Sequence, residues 1–206
     1  MLKRRCKITF VVHGSTIFTP ECRLYEVGEY PPLDANGKYE ISKLCQWLKK
    51  RSPKNDKVYA APTMRSVQSA EIIAQAYSQE FEVLDSLRTK NEGLWAGCSF
   101  EEIEEKYPDQ LRKYQANVAD FKLNGAESFE EYNNDIYNVI TKIKEKNFDK
   151  RIIIVCDANL IRGVIAKSFE LPIANQNKIN LQTGSATQIN FYDGWEILVY
   201  SNYVPV

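Results

Sequence analysis

Ile8-Thr9-Phe10-Val11-Val12-His13-Gly14 is the stretch on which the fold turns. An unbroken run of apolar and β-branched residues, ended by His13-Gly14, predicts a strand buried on both faces that feeds a loop. His13 then sits at the strand's C-terminal edge. The pattern recurs twice. Val58-Tyr59-Ala60 leads through Ala61-Pro62 to Thr63, which caps a helix with Met64, Val67, Ala70, Ile73 and Ala74 on one face. Arg151-Ile152-Ile153-Ile154-Val155-Cys156, the most hydrophobic strand, runs into Asp157-Ala158-Asn159 and a helix from Leu160.

Between and beyond these units the chain supplies layers to cover them. From Gly37, Ile41, Leu44, Cys45 and Leu48 recur at helical spacing, and Lys49-Lys50-Arg51 closes that helix before Pro53. A third strand covers Phe81 to Leu84, and short helices start near Ser99 and Pro108. Ser128 with Glu131 forms a capping box that opens a long helix. Thr187–Tyr192 and Trp195–Tyr200 flank Asp193-Gly194, a hairpin signal. Strands alternating with helices predict an α/β fold: a three-layer sandwich around a mostly parallel, doubly wound sheet with an antiparallel C-terminal edge hairpin. A single domain over 1–206 is expected, with an insertion at about 87–127, rich in Gly and Trp near its start, covering a pocket. Ligands of such sheets bind beyond the strands' carboxyl ends, where His13, the loop from Ala60 to Arg65, and Asp157 all fall.

Composition narrows the function. The 206 residues carry 27 Lys+Arg against 27 Asp+Glu, so no overall field draws the chain to nucleic acid or anionic lipid. Met1-Leu2-Lys3-Arg4-Arg5 is like a signal-peptide start, but the apolar run from Ile8 to Val12 is too short for a signal core or a membrane span. Five widely spaced cysteines without a C-x-x-C predict reduced thiols, no zinc site and a cytoplasmic protein. No metal or cofactor is expected. His13 is the one histidine, so any histidine chemistry must use it.

Several blocks in this order resemble the histidine phosphatase superfamily, the phosphoglycerate-mutase-like fold, from about Lys7 to Tyr203. Val11-Val12-His13-Gly14-Ser15-Thr16 is similar to its Arg-His-Gly-Glu-Thr block. Pro32-Leu33-Asp34 through Gly37 is similar to its first helix start. Ala61-Pro62-Thr63-Met64-Arg65 with Gln68, Ala70 and Glu71 is similar to its Ser-Pro-x-x-Arg signature. Gly93-Leu94-Trp95-Ala96-Gly97, Gly125 to Ser128, Ile161-Arg162 and Gly184-Ser185-Ala186 follow in register. The resemblance implies a histidine that attacks a phosphomonoester, two arginines and a second histidine that bind the phosphoryl oxygens, and a glutamate that protonates the leaving group. Positioned cations are the main source of stabilisation in such a transition state.

Carried over by the resemblance, the nucleophile is His13 and the second arginine is Arg65. The first arginine falls on Val12, the second histidine on Asp157 and the acid on Thr89. Gly14 follows the nucleophile, and Thr19 stands where an asparagine often touches phosphate. Arg23, Arg88 or Arg162 are candidates to replace the missing cation, and Glu92 to restore the acid. At ~4 Å and an effective dielectric of ~20 a unit charge is worth ~4 kcal/mol, so losing a cation and gaining Asp157 both disfavour a phosphate dianion. Three functions follow. The leading one is a histidine-phosphatase-fold protein with weak or no ordinary phosphatase activity, acting as a binding or regulatory module for a small-molecule or phosphorylated ligand. The others are a phosphomonoesterase working through phospho-His13, and a repurposed enzyme with His13 and Asp157 as an acid/base pair. Plainer roles stand beside these: an inert His13, a structural Arg65 paired with Glu71 or Asp157, and Asp157 as a helix cap.

Overall fold

The computed structural model describes residues 4–25 and 31–205. Part of the signal-peptide-like stretch read at Met1–Arg5 lies outside them. Six strands form one sheet: β1 (Arg4–Val12), β2 (Lys57–Ala60), β3 (Phe81–Val83), β4 (Lys150–Cys156), β5 (Ala186–Tyr192) and β6 (Trp195–Tyr203), in the order β3-β2-β4-β1-β5-β6. The first four in that order run parallel, and β5 pairs antiparallel with both β1 and β6. The α/β architecture with an antiparallel edge hairpin is therefore as expected.

Alternation along the strands distributes the core to two faces. Ile8, Phe10, Val12, Ile152 and Ile154 pack on the side of α5 (Phe129–Lys146) and α6 (Ala158–Ser168). Val11, Val58, Ala60, Ile153 and Val155 pack on the side of α1 (Ala35–Arg51) and α2 (Met64–Tyr77). Both faces are covered, which is why the parallel strands are continuously apolar. Two shorter helices, α3 (Phe100–Lys106) and α4 (Pro108–Ala116), lie between β3 and α5 in the chain. Local signals agree with the elements they open. Thr63 accepts from the Ser66 amide at the start of α2, and Ser128 and Glu131 close a reciprocal capping box on α5.

Register places the site. Val12 lies opposite Cys156, the His13 amide donates to the Cys156 carbonyl at 3.3 Å, and the Ala61 amide donates to the Val155 carbonyl at 2.9 Å. Because β4 lies between β2 and β1, the residue after β4, Asp157, falls between the first turn of α2, which carries Arg65, and the loop that carries His13.

Candidate active site

At these three strand ends His13, Arg65 and Asp157 meet, all nearly excluded from solvent. The two nitrogens of His13 have different duties. Nδ1 lies 2.8 Å from the Gly14 carbonyl, and a carbonyl only accepts, so Nδ1 carries the proton in that contact. Nε2 lies 3.1 Å from both Arg65 Nε and Asp157 Oδ1. In the neutral ring Nε2 therefore accepts from Arg65, and in the charged ring it donates to Asp157.

Asp157 takes most of Arg65. Arg65 Nη2 donates to Oδ1 at 2.8 Å and Oδ2 at 3.0 Å, and Nε donates to Oδ1 at 3.0 Å. Thr89 Oγ1 donates to Oδ2 at 2.5 Å and accepts from Arg65 Nη2 at 3.2 Å. Burial works to raise the Asp157 carboxyl, but the Arg65 charge and the His13 and Thr89 hydrogen bonds outweigh it and hold it well below the usual carboxylate range. Asp157 stays an anion. It stands at the N-cap of α6 without a side-chain capping bond, so its carboxylate serves the site rather than the helix. Tyr25 covers the other partner: the Arg65 guanidinium carbon sits 3.6 Å from the centre of its ring.

The remaining expected residues have varied positions. Gly14 donates its amide to Ser69 Oγ, and a Cβ there would come within 2.3 Å of the Gly37 carbonyl oxygen, so this glycine is required by close backbone packing of the loop on α1. Thr19 lines the cavity, while its hydroxyl accepts from the Thr16 amide at 2.9 Å within the same turn. Arg23 lines the cavity too, paired with Glu21 and Glu102. Glu92 reaches it and is paired with Lys90 at 2.8 Å; burial raises its carboxyl and Lys90 pulls it part of the way back. Arg88 forms a two-toothed pair with Glu127 and is not a lining residue. Val12 lines the cavity as an apolar, 3% exposed residue.

Above this floor opens a cavity of about 550 Å³, a size suited to a small organic molecule. The stretch 87–127 contributes Thr89, Glu92, Trp95, Phe100 and Tyr114 to its lining. Among the described residues no group of three His, Cys, Asp or Glu side chains converges as a metal-ligand set. Sequence reasoning missed the placement of Tyr25 on Arg65 and the pairing of Glu92 with Lys90. A tyrosine in a loop without periodicity carries no signal of which side chain it will cover.

Comparison with known proteins agrees with the fold. The family model described as histidine phosphatase superfamily (branch 1) matches residues 8–203. Phosphoserine phosphatase 1 of Hydrogenobacter thermophilus is 25% identical over 154 residues, 72% of this chain and 69% of that protein. A 6-phosphofructo-2-kinase/fructose-2,6-bisphosphatase of Caenorhabditis elegans is 21% identical over 86% of this chain, which spans only 37% of that protein's length. Among solved structures, phosphoserine phosphatase of Entamoeba histolytica in complex with 3-phosphoglyceric acid superposes with a TM-score of 0.86 at 20% identity, covering 97% of this chain and 98% of that one. A mutant of that enzyme in complex with phosphoserine gives 0.84 at 20% identity, with 96% of each chain covered. At such identities the structural likeness shows the fold.

Proposed function

The chain belongs to the histidine phosphatase superfamily, and we propose that within it this protein has weak or no ordinary phosphatase activity and binds a small-molecule ligand other than a phosphate dianion. One observation carries the reading: the Asp157 carboxylate occupies Nε and Nη2 of Arg65, the cation that would otherwise meet a phosphoryl group. A phosphate would have to displace an ionised carboxylate that burial does not neutralise. Val12 adds no charge, and Thr89 is bonded to Asp157 and is not a carboxylic acid able to protonate a leaving group. On this reading the protein works as one domain whose 87–127 stretch covers the site. Five cysteines, none in a disulfide, support a reducing cytoplasmic setting; among the described residues no helix is long and apolar enough to cross a membrane.

The test is turnover of p-nitrophenyl phosphate by the wild type, by His13→Ala, and by Val12→Arg/Thr89→Glu/Asp157→His. We expect wild-type rates near those of His13→Ala, and at least a ~100-fold gain in the triple variant, since single preorganised charge-stabilising groups are worth ~10² to 10³ in rate. Robust wild-type turnover abolished by His13→Ala would overturn the reading. That outcome would favour phospho-His13 chemistry, which has its own support: the Nδ1 bond to Gly14 puts the lone pair of the neutral ring on Nε2, where it accepts from Arg65 Nε and would have to give up that bond to attack. The 3.1 Å contact between Nε2 and Asp157 supports the acid/base alternative in the charged ring.

A further inference from the structure

Four formally charged side chains line the cavity: Arg23, Glu92, Asp157 and Arg162. Three are neutralised in place. Arg23 pairs with Glu21 at 2.7 Å and Glu102 at 2.8 Å, Glu92 with Lys90 at 2.8 Å, and Asp157 with Arg65 at 2.8 Å. Arg162 differs, for among the described residues no carboxylate pairs with it. Its Nε donates to the Ile179 carbonyl at 2.9 Å and its Nη1 to Asn159 Oδ1 at 3.0 Å, both neutral acceptors. These two bonds fix the guanidinium plane and leave Nη2 without a described partner.

Burial pushes the Arg162 pKa down, the mark of a cation that has lost water without gaining an anion. Such a group binds an incoming anion more strongly than an exposed arginine would, because much of its desolvation cost is already incurred. We propose that Arg162 is the anion-recognition residue of this cavity and that its ligand is an organic monoanion, a carboxylate on an apolar body. One uncompensated positive charge balances one negative charge, and the ionised Asp157 in the same cavity disfavours a second. The apolar body follows from the walls, where Phe18, Leu24, Tyr25, Trp95, Phe129 and Leu181 face the space. The inference deepens the proposed function and rests on it, since it takes Arg65 to be occupied by Asp157.

Three probes of similar size separate the cases: 3-phenylpropanoate, its neutral amide 3-phenylpropanamide, and phenyl phosphate. Binding is read by isothermal titration and by the ring-proton NMR signals of His13, the chain's one histidine. In the wild type the acid should bind at least about tenfold tighter than the amide, the ratio expected of one charge-assisted hydrogen-bonded contact. It should also bind tighter than phenyl phosphate. Arg162→Gln should remove the preference for the acid, and Arg162→Lys should keep part of it. If Arg162→Gln fails to fold, the acid-to-amide ratio in the wild type and in Arg162→Lys still decides. Equal affinity for acid and amide overturns the proposal, as does no saturable binding of the acid up to about 10 mM, the weakest affinity expected of a fragment this small. An acid preference that survives Arg162→Gln overturns it too. Tight phenyl phosphate binding that is lost in Arg65→Gln but kept in Arg162→Gln overturns instead the reading of Arg65 on which it rests.

Discussion

Arg65 and Arg162 belong to two similar units, each in a helix that follows a parallel strand, Arg65 in the first turn of α2 after β2 and Arg162 in the second turn of α6 after β4. Their situations are opposite. Arg65 is 1% exposed and shares its protons among Asp157, His13 and Thr89. Arg162 is half-buried at the cavity wall and bonded only to a backbone carbonyl and an asparagine amide. Partners, more than number, decide which cation a ligand can use. Arg65 keeps one buried nitrogen, Nη1, without a hydrogen-bond partner, but its charge is matched by Asp157 and belongs to the protein's stability; the charge of Arg162 is matched by no described carboxylate and is free for recognition.

If that division is right, removing the anion should harm folding far more than removing the unpaired cation. Asp157→Ala leaves the buried Arg65 guanidinium without its counter-ion, and breaking a buried pair on one side costs about 3–5 kcal/mol. Arg162→Met gives up two hydrogen bonds from a half-buried group and should cost about 1 kcal/mol. Urea unfolding of both variants measures the difference. Equal losses would mean that Arg162 is as structural as Arg65, and the contrast would fail.

A smaller effect sharpens the Arg65 side. Thr89 Oγ1 donates to Asp157 and accepts from Arg65, so Thr89→Val removes a hydrogen bond to a buried charge and should cost about 2 kcal/mol. In an Asp157→Ala background the same change should cost little, because its main partner is gone. A double-mutant cycle in urea gives the coupling, and additive losses would show that Thr89 merely packs beside the pair.

The strand ends were legible because unbroken β-branched runs announce buried parallel strands, and because a following loop and helix put the next residues at the ligand-binding edge. His13, Arg65 and Asp157 could thus be brought together from local pattern alone. Which of them would bond was less legible. Asp157 before an apolar helix fits a cap equally well, and only the adjacency of β2, β4 and β1 sends its carboxylate to Arg65 instead. Gly14 illustrates the same gap. Its neighbour in the family block suggests phosphate contact, yet its partner in space is Gly37, 23 positions away, a packing relation that no local spacing reveals. Arg162 was visible as one of three spare arginines; that Arg23 and Arg88 would be consumed by Glu102 and Glu127 is a fact of tertiary charge pairing.

The smallest expected effect is in acid. The Asp157 carboxyl is held below its ordinary range in the folded protein, so the native state resists a proton that the unfolded chain takes up near the ordinary aspartate value of ~3.9. The stability it contributes is present above that value and lost as pH falls below about 4 toward the depressed native one. For a single carboxylate well depressed in the fold, the loss between pH 5 and pH 3 is about 1 kcal/mol. Asp157→Asn cannot titrate there, so its stability should fall less steeply over that interval than the wild type's, although it starts lower because Arg65 has lost its counter-ion. Arg162→Met should keep the wild-type slope, since no described carboxylate is paired with that arginine. Urea midpoints at pH 3, 4 and 5 for the three proteins give the slopes. A wild-type slope equal to that of Asp157→Asn would mean that Asp157 is not held ionised by Arg65, and that the two arginines differ less than their surroundings indicate.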